Sequence, residues 1–443
     1  MNKKDFIVFA DLPPHPHEDE LIKDYIGLGF NVILLTEDSV QMIKDKNLSK
    51  DYISAIENLC KYNIDIWIRN MYNDADYFDN SYPDKSRSNY GTPYTLSERH
   101  LTDEFKQFEA VTGFYMADEP YRHQLDDNPS YASFDKLVKL VDFVNTYYPN
   151  YFFHMNMVPS SSWDHYYQKG NGIIDYKDFI DDYIATIVEK VKSNQKSICL
   201  DNYPFIGDKY IEPTYLYDLL TVANATRDYN LSKDDNNKAT FGICVQAFDC
   251  YSPLRDRHRD ILSPSEISFQ VLTGLCLNAR LFEYFAFKSL SDGSISGIYD
   301  NKNKKRLYDI VKSGNEYAFQ FFNCLINYQW LGADFYHGYV KEFSNPIHNA
   351  KNLFYKNHKT IKRLDSEYDV LLGCFENDEE IAYLILNYTD PQKNHSNEVE
   401  MELDGAKELS IFNGKEQKTI NYNIFKVTLN PGEGVFISFK KPL

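Results

Sequence analysis

The amino-acid sequence predicts an α/β protein in which a (β/α)8 barrel, residues 1–334, is followed by a small antiparallel β-sandwich, residues 335–443. Three observations support this prediction. Eight short apolar runs have the length of buried strands, amphipathic stretches separate them, and the pattern changes to short alternating runs in the last quarter of the chain. Apolar strands that alternate with helices are typical of a parallel sheet covered on both faces. Eight such units in roughly 330 residues favour a closed barrel.

The eight apolar runs are the predicted strands. They occupy residues 5–12, 31–38, 64–71, 111–120, 151–159, 196–205, 239–249 and 280–287. An open doubly wound sheet is the alternative arrangement of the same units. The first run is not followed by the glycine-rich sequence that marks dinucleotide-binding sheets of that kind, so the barrel is the favoured interpretation.

The stretches between the runs carry apolar residues at spacings of three and four, which predicts helices. Clear examples are residues 19–30, 52–63, 134–148 and 176–194. A further helix is predicted to begin at Ser263 as N-cap, with Pro264 in its first turn and Glu266 completing a capping box. After the barrel, alternating runs are separated by Asn, Asp, Gly and Pro, which predicts an antiparallel sandwich that covers one side of the barrel.

Composition and charge restrict the partners. Acidic residues outnumber basic ones 65 to 47, and we therefore expect no binding to the phosphate backbone of nucleic acid. The first apolar run is too short for a signal peptide or a membrane span, so we expect a cytoplasmic protein without a membrane contact. The seven cysteines are scattered without metal-binding spacing and are expected to be reduced. The oligomeric state stays open.

Polar residues end every predicted strand. In a (β/α)8 barrel the active site lies at these carboxyl ends, so the side chains are expected to converge on one pocket. A polar residue at one strand end is usually a helix cap, but capping alone does not explain eight such ends. The candidate residues are Asp11, Glu37, Arg69, Asn70, Asp118, Glu119, Asn156, Asp201, Asn202, Tyr203, Gln246, Asp249, Glu283 and Tyr284, with Trp67 as an aromatic face for a sugar ring.

The residue types at these ends favour sugar chemistry. Hydrolysis of an acetal needs one carboxylic acid to protonate the departing oxygen and a second carboxylate to stabilise or attack the sugar carbon. The sequence has no Ser-His-Asp pattern, zinc-protease motif or phosphate-binding loop. His15 and His17 could join Asp11 around a metal ion, but a proline-rich loop at the pocket is the favoured interpretation. We therefore expect an oligosaccharide or glycoside substrate, no cofactor and no metal.

Four segments resemble glycoside-hydrolase-like barrels that are common in gut bacteria. They are GFYMADEP (113–120), LDNYPF (200–205), VQAF (245–248) and the run from Ser263 to Phe287, which is also similar to family 42 β-galactosidases. The resemblance implies that Glu119 is the general acid, because the barrel clan of family 42 carries its acid/base Glu at the end of strand 4. That clan has a nucleophilic Glu at the end of strand 7, where this chain has Gln246.

Three carboxylates compete for the second catalytic role. They rank in the order Asp201, Asp118, Glu283, because some barrels carry their catalytic carboxylates on strands 4 and 6. Asp118 could instead orient an N-acetyl group beside Glu119, as in substrate-assisted hexosaminidases. The favoured function is a glycoside hydrolase that acts by general acid catalysis. The alternative is a carbohydrate-binding barrel without hydrolytic activity, which the Gln246 substitution favours.

Overall fold

Eight parallel strands follow one another around the N-terminal part of the protein. Strands of four or more residues are numbered in chain order, and the first eight are β1 Ile7–Ala10, β2 Val32–Thr36, β3 Asp65–Arg69, β4 Val111–Ala117, β5 Phe152–Met157, β6 Ser197–Leu200, β7 Thr240–Gln246 and β8 Leu281–Phe285. Each pairs in parallel with its neighbour from β2 through β8, and β8 pairs with β1. The eight predicted apolar runs are therefore confirmed as a nearly closed barrel.

The structure is a computed structural model of the chain. It describes residues 6–36, 43–44, 47–69, 103–118, 134–160, 176–193, 195–206, 210–234, 237–250, 259–291, 293–300, 303–340, 350–356 and 360–441.

The barrel interior is filled by side chains at alternate positions of the strands. One buried cluster takes at least one residue from each of the eight strands: Phe9, Val32, Leu34, Trp67, Tyr115, Phe152, Cys199, Cys244 and Leu281. Successive side chains of a strand point to opposite faces. The intervening residues, such as Val8, Ile33 and Phe282, accordingly pack outward in a larger cluster with the helices. This alternation fixes which strand-end residues face the pocket.

Two side chains connect β1 to β2, which share no strand ladder among the described residues. Asn31 precedes β2, and its Oδ1 accepts a hydrogen bond from the amide of Val8 at 2.9 Å. The Tyr25 hydroxyl accepts from the amide of Ala10 and donates to the carbonyl oxygen of Val32, both at 2.8 Å. These side chains close the barrel at this seam together with one backbone hydrogen bond, from the amide of Asn31 to the carbonyl oxygen of Val8 at 2.9 Å.

Seven helices of nine or more residues are described. They are α1 Asp19–Gly27, α2 Lys50–Cys60, α3 Phe134–Tyr147, α4 Tyr176–Thr186, α5 Tyr215–Leu231, α6 Pro264–Cys276 and α7 Arg306–Ala318. The predicted start of α6 is confirmed, since the Glu266 carboxylate accepts from the amide of Ser263 at 2.9 Å. Among the described residues, no helix is both long and apolar enough to cross a membrane.

The C-terminal region consists of antiparallel sheets. Its strands are β9 Gln329–Tyr336, β10 Ile361–Ser366, β11 Val370–Glu376, β12 Glu380–Asn387, β13 Asn397–Leu403, β14 Leu409–Phe412, β15 Gln417–Ile420, β16 Ile424–Leu429 and β17 Gly434–Lys440. Six of them pair in the order β9-β11-β12-β17-β14-β15, and β10-β13-β16 form a second sheet. The two sheets share one hydrophobic cluster. The predicted division after residue 334 falls inside β9.

Helix α6 joins the barrel to the six-stranded sheet. The sheet approaches so closely that a Cβ on Gly373 would lie 2.6 Å from the carbonyl oxygen of Cys276. The same oxygen accepts a hydrogen bond from the indole of Trp330 at 2.9 Å. Only a glycine allows this approach at residue 373, and the sheet therefore packs directly on the helix.

Candidate active site

The carboxyl ends of the eight strands form the mouth of the barrel. Asp11, Arg69 and Asp201 each lie two residues beyond an interior side chain, namely Phe9, Trp67 and Cys199. Strand alternation therefore directs these three toward the barrel axis at the mouth. The same spacing relates Asn156 to His154 and Gln246 to Cys244. Polar residues from five strands thus converge at one end of the barrel, as the sequence predicts.

Arg69 is the centre of the charged network at the mouth. Its side chain is 1 % exposed, and its guanidinium contacts the carboxylates of both Asp11 and Asp118. The bond from Nη2 to Asp118 Oδ2 is 3.1 Å long. The guanidinium also lies over the ring of Tyr115, 4.0 Å from its centroid. A buried cation of this kind is retained only when carboxylates neutralise it, so the three charges form one unit.

Asp118 is held from a second side by Tyr115. The Tyr115 hydroxyl donates to Asp118 Oδ1 at 3.1 Å and accepts from Asn156 Nδ2 at 2.7 Å. Burial, with the nearby Asp118 charge, raises the pKa of Tyr115 well above its usual value, so this hydroxyl remains a donor. Asp118 itself is 26 % exposed. The result is a fixed carboxylate that a ligand in the mouth can reach.

Three predicted residues, Glu37, Asn70 and Glu119, lie outside the described residues. Asp201 directly follows β6, and its amide donates to the carbonyl oxygen of Met157 at 3.0 Å. Its side chain is partly exposed. The candidate second carboxylate therefore stands at the mouth, two strands away from Asp118.

Aromatic side chains line the mouth beside β6, β7 and β8. Tyr203 meets Phe248 edge to face at 5.2 Å, and Phe248 lies 5.7 Å from Phe285. Tyr203 and Phe285 are both partly exposed. Phe285 was not among the predicted site residues, although the period of two that places Glu283 inside the barrel also places Phe285 inward. These rings offer apolar faces next to Asp201.

The position of Tyr284 contradicts the expectation that its side chain faces the pocket. Its hydroxyl donates to Asn315 Oδ1 of α7 at 2.5 Å, and its ring packs 5.1 Å from Phe30. The side chain is fully buried on the outer face of β8. The residue cannot face both the helices and the pocket, because Glu283 before it points inward. Tyr284 therefore belongs to the packing between strand and helix.

Asn202 also points away from the mouth. Its Nδ2 donates to Asp218 Oδ2 at 2.9 Å, and the same oxygen accepts from the amide of Ser160 at 3.0 Å. Asp218 is fully buried at the start of α5, and burial raises the pKa of its carboxyl to about 7. This carboxyl group, which the sequence did not single out, connects the segments that follow β5 and β6.

Of three further predicted residues, Trp67 and Gln246 are buried and Asp249 is partly exposed. Trp67 stacks on Phe152 with ring centroids 4.6 Å apart, so the barrel interior covers both indole faces. Gln246 is fully buried, and its Nε2 donates to the carbonyl oxygen of Arg259 at 2.9 Å. Asp249 lies further along and pairs with Arg306 at 2.9 Å. Burial therefore closes Trp67 and Gln246 to a sugar at the mouth.

Glu283 lies one layer deeper than Asp11 and Asp201. Its Oε2 is 3.1 Å from His154 Nε2 and 3.8 Å from the sulphur of Cys244. The carboxylate is nearly inaccessible to solvent. His154, Cys199 and Glu283 form a buried group of possible metal ligands, and Cys244 contacts this group through Glu283.

No family model and no curated protein sequence matches the chain. Solved structures do match it. One described as a glycoside hydrolase aligns with a TM-score of 0.54 and 11% identity, covering 98% of this chain and 92% of that chain. A family 5 glycoside hydrolase from Bacteroides vulgatus aligns with a TM-score of 0.54 and 10% identity, covering 98% and 89%.

A catalytic mutant of a family 42 β-galactosidase from G. stearothermophilus matches more distantly, with a TM-score of 0.49 and 7% identity over 99% of this chain and 98% of that chain. The two neighbours with TM-scores of 0.54 are both described as glycoside hydrolases. At these identities the likeness shows a shared fold.

Proposed function

We propose that this protein is a glycoside hydrolase in which Glu119 is the general acid. The observation that carries the proposal is the anchoring of Asp118 at the mouth by Arg69 and Tyr115. Glu119 is the next residue of the chain. Aromatic side chains lie beside Asp201 at the same opening, and sugar pockets are lined mainly by aromatic and apolar side chains with a few polar groups. The names of the structural neighbours agree with this class of reaction.

The reaction needs two carboxyl groups with different tasks. Glu119 gives its proton to the glycosidic oxygen as the bond to the sugar carbon breaks. Asp201 takes a proton from a water molecule that attacks the same carbon, which yields a free sugar and the released alcohol. Asp201 follows β6, and Glu119 comes two residues after the end of β4 in the chain. A separation of two strands favours the wide, inverting arrangement of roughly 6.5–9.5 Å.

A second candidate function is substrate-assisted cleavage of N-acetylated sugars. It is favoured by the two hydrogen bonds that fix Asp118, because a carboxylate that orients an acetamido group has to be rigid and ionised. In this mechanism the acetamido oxygen attacks the sugar carbon, Asp118 accepts the amide N–H, and Glu119 again protonates the leaving oxygen. Asp201 is then dispensable for the chemical step.

A panel of aryl glycosides with and without N-acetyl groups tests the proposal. We expect hydrolysis of at least one member, and a loss of about 10²–10⁴-fold in turnover for Glu119→Gln, since that is the usual contribution of a general acid. The exposed Glu316 on α7 supplies the matched control, Glu316→Gln, which should retain full turnover. Near-normal turnover of Glu119→Gln would refute the assignment.

Two further variants separate the mechanisms. Asp201→Asn is expected to be as damaging as Glu119→Gln, and Asp118→Asn milder. The reverse order, with activity confined to N-acetylated sugars, would replace the proposal with the substrate-assisted mechanism. Binding of the same sugars by calorimetry without any hydrolysis would instead identify a carbohydrate-binding barrel.

A further inference from the structure

Four side chains that commonly bind metal ions meet inside the barrel, below the mouth. They are His154 on β5, Cys199 on β6, Cys244 on β7 and Glu283 on β8, so each of four consecutive strands supplies one. All four are buried, with exposures of 0 %, 0 %, 1 % and 2 %. None of them belongs to the catalytic group proposed above. Burying a carboxylate costs free energy unless a partner compensates it, so a buried group of this size calls for an explanation.

Two separations among these side chains are close to the edges of a metal coordination shell, and a third ligand atom lies within reach. One ligand atom each of His154, Cys199 and Glu283 lie within 4.8 Å of one another. His154 Nε2 is 3.1 Å from Glu283 Oε2, and that oxygen is 3.8 Å from the Cys244 sulphur. Zinc binds nitrogen and carboxylate oxygen at about 2.0–2.2 Å and sulphur at about 2.3 Å, so the edges of its tetrahedron are roughly 3.3–3.8 Å long.

The other nitrogen of His154 has the partner that metal-binding histidines require. Its Nδ1 lies 2.8 Å from the hydroxyl of Ser197, which is itself buried. If Nδ1 carries the proton and donates it to this hydroxyl, Nε2 presents its lone pair to the cluster. Ligating histidines are usually oriented by such a second contact, which fixes both the tautomer and the ring.

The walls around the cluster exclude other charges. The His154 ring is surrounded by Phe9, Trp67 and Tyr115, with centroids 5.3, 5.5 and 4.7 Å away. Arg69 lies at the level above and is already held by two carboxylates. Without an ion, the Glu283 carboxyl group contacts the imidazole of His154 and the thiol of Cys244. A divalent cation would neutralise the carboxylate and engage both sulphurs as well.

We propose that His154, Cys199, Cys244 and Glu283 form a site for one divalent transition-metal ion, with zinc as the best match to a donor set of one imidazole, two sulphurs and one carboxylate. Each cysteine that binds the ion releases its thiol proton to solvent. The ion would tie β5, β6, β7 and β8 together beneath the mouth. The site has a structural role and does not depend on the proposed hydrolase activity.

Metal content and a cobalt spectrum test this site. The full chain is expressed in medium supplemented with zinc, purified without chelators and analysed by plasma mass spectrometry, and we expect about one zinc ion per chain. Protein expressed with cobalt instead should show the sulphur-to-cobalt charge-transfer band and the intense visible bands of a tetrahedral site. Cys244→Ser and Glu283→Gln should each weaken metal retention at least about tenfold in competition with a chelator.

The matched control is Cys276→Ser, which alters a buried thiol outside the cluster and should leave metal content unchanged. Wild-type protein without bound zinc above background, a cobalt spectrum without the sulphur band, or equal retention in Cys244→Ser would each overturn the proposal. Since two of these outcomes are measured on the wild-type chain, the test remains decisive if a variant fails to fold. Hydrolysis of glycosides plays no part in any of these measurements.

Discussion

Replacing Asp218 with asparagine is expected to stabilise the protein above neutral pH and to change little below pH 3.8, the ordinary pKa of the group. Asp218 is fully buried, and its Oδ2 accepts hydrogen bonds from the Ser160 amide and the Asn202 side chain. Within the described part of the chain its Oδ1 has no hydrogen-bond partner. An asparagine can keep the accepting oxygen and place its amide nitrogen where Oδ1 lies. The substitution therefore mimics the protonated acid.

The size of the effect follows from the pKa. Burial is the main cause that raises the pKa of Asp218 from 3.8 to about 7, and the contacts with Ser160 oppose it. Between these two values the unfolded chain has lost the proton and the folded chain still holds it, so stability falls as pH rises through this window. One pKa unit corresponds to about 1.4 kcal/mol, and the full shift therefore corresponds to about 4 kcal/mol as an upper bound.

Urea denaturation of the wild type and Asp218→Asn at pH 5 and pH 8 measures this difference. The stabilisation by asparagine should grow between the two pH values, toward the upper bound of about 4 kcal/mol. The control is Asp228→Asn, which alters an exposed carboxylate on the same helix and should give equal differences at both pH values. An effect of Asp218→Asn that is constant with pH, or that reverses in sign, would refute the reasoning.

Three other substitutions have defined outcomes. Arg69→Met should lower the free energy of unfolding by about 3–5 kcal/mol in urea denaturation, because two carboxylates lose their cation. Tyr284→Phe should cost about 1–3 kcal/mol through the orphaned Asn315 oxygen and leave turnover unchanged; slower turnover would contradict its outward position. Gln246→Glu puts a carboxylate against the Arg259 carbonyl oxygen, so about 3 kcal/mol of destabilisation without faster hydrolysis is expected.

The barrel could be predicted because its strands are buried on both faces. Each strand appears in the sequence as a continuous apolar run, and the helices between them carry apolar residues at spacings of three and four. The helix that begins after Ser263 was predicted from local contacts alone, since a capping box lies within four residues. The closure between β1 and β2 could not be predicted, because Asn31 and Tyr25 are ordinary residues whose partners are set by the curvature of the barrel.

The site was predictable only in part. Strand ends identified Asp11, Arg69 and Asp118, but the sequence contains no signal that Arg69 neutralises both carboxylates, since this contact joins three strands. Tyr284 was predicted on the wrong face because Glu283 and Tyr284 are adjacent in a strand, so only one of the two side chains can point into the barrel. Asn202 was misplaced for a different reason: its partner, Asp218, lies on a helix and resembles any acidic residue of a first turn.

The sequence analysis named Glu283 as a candidate site residue but did not group it with the histidine and the two cysteines, because sequence searches look for closely spaced ligands. The residues His154, Cys199, Cys244 and Glu283 follow one another at intervals of 45, 45 and 39 residues. That interval is the length of one strand-and-helix unit. In a barrel, residues one unit apart are neighbours, so this spacing is as informative as a short motif would be in another fold.

Helix α6 couples the stability of the barrel to the stability of the C-terminal sheets. Every residue from Glu266 to Cys276 is buried, on one side against β7 and on the other against β11 and β12. A helix covered all around has no face left for water. Removal of the sheets would uncover a large apolar patch on the barrel, of the kind that causes association. The whole chain should therefore melt in one transition, and a fragment that ends before β9 should aggregate.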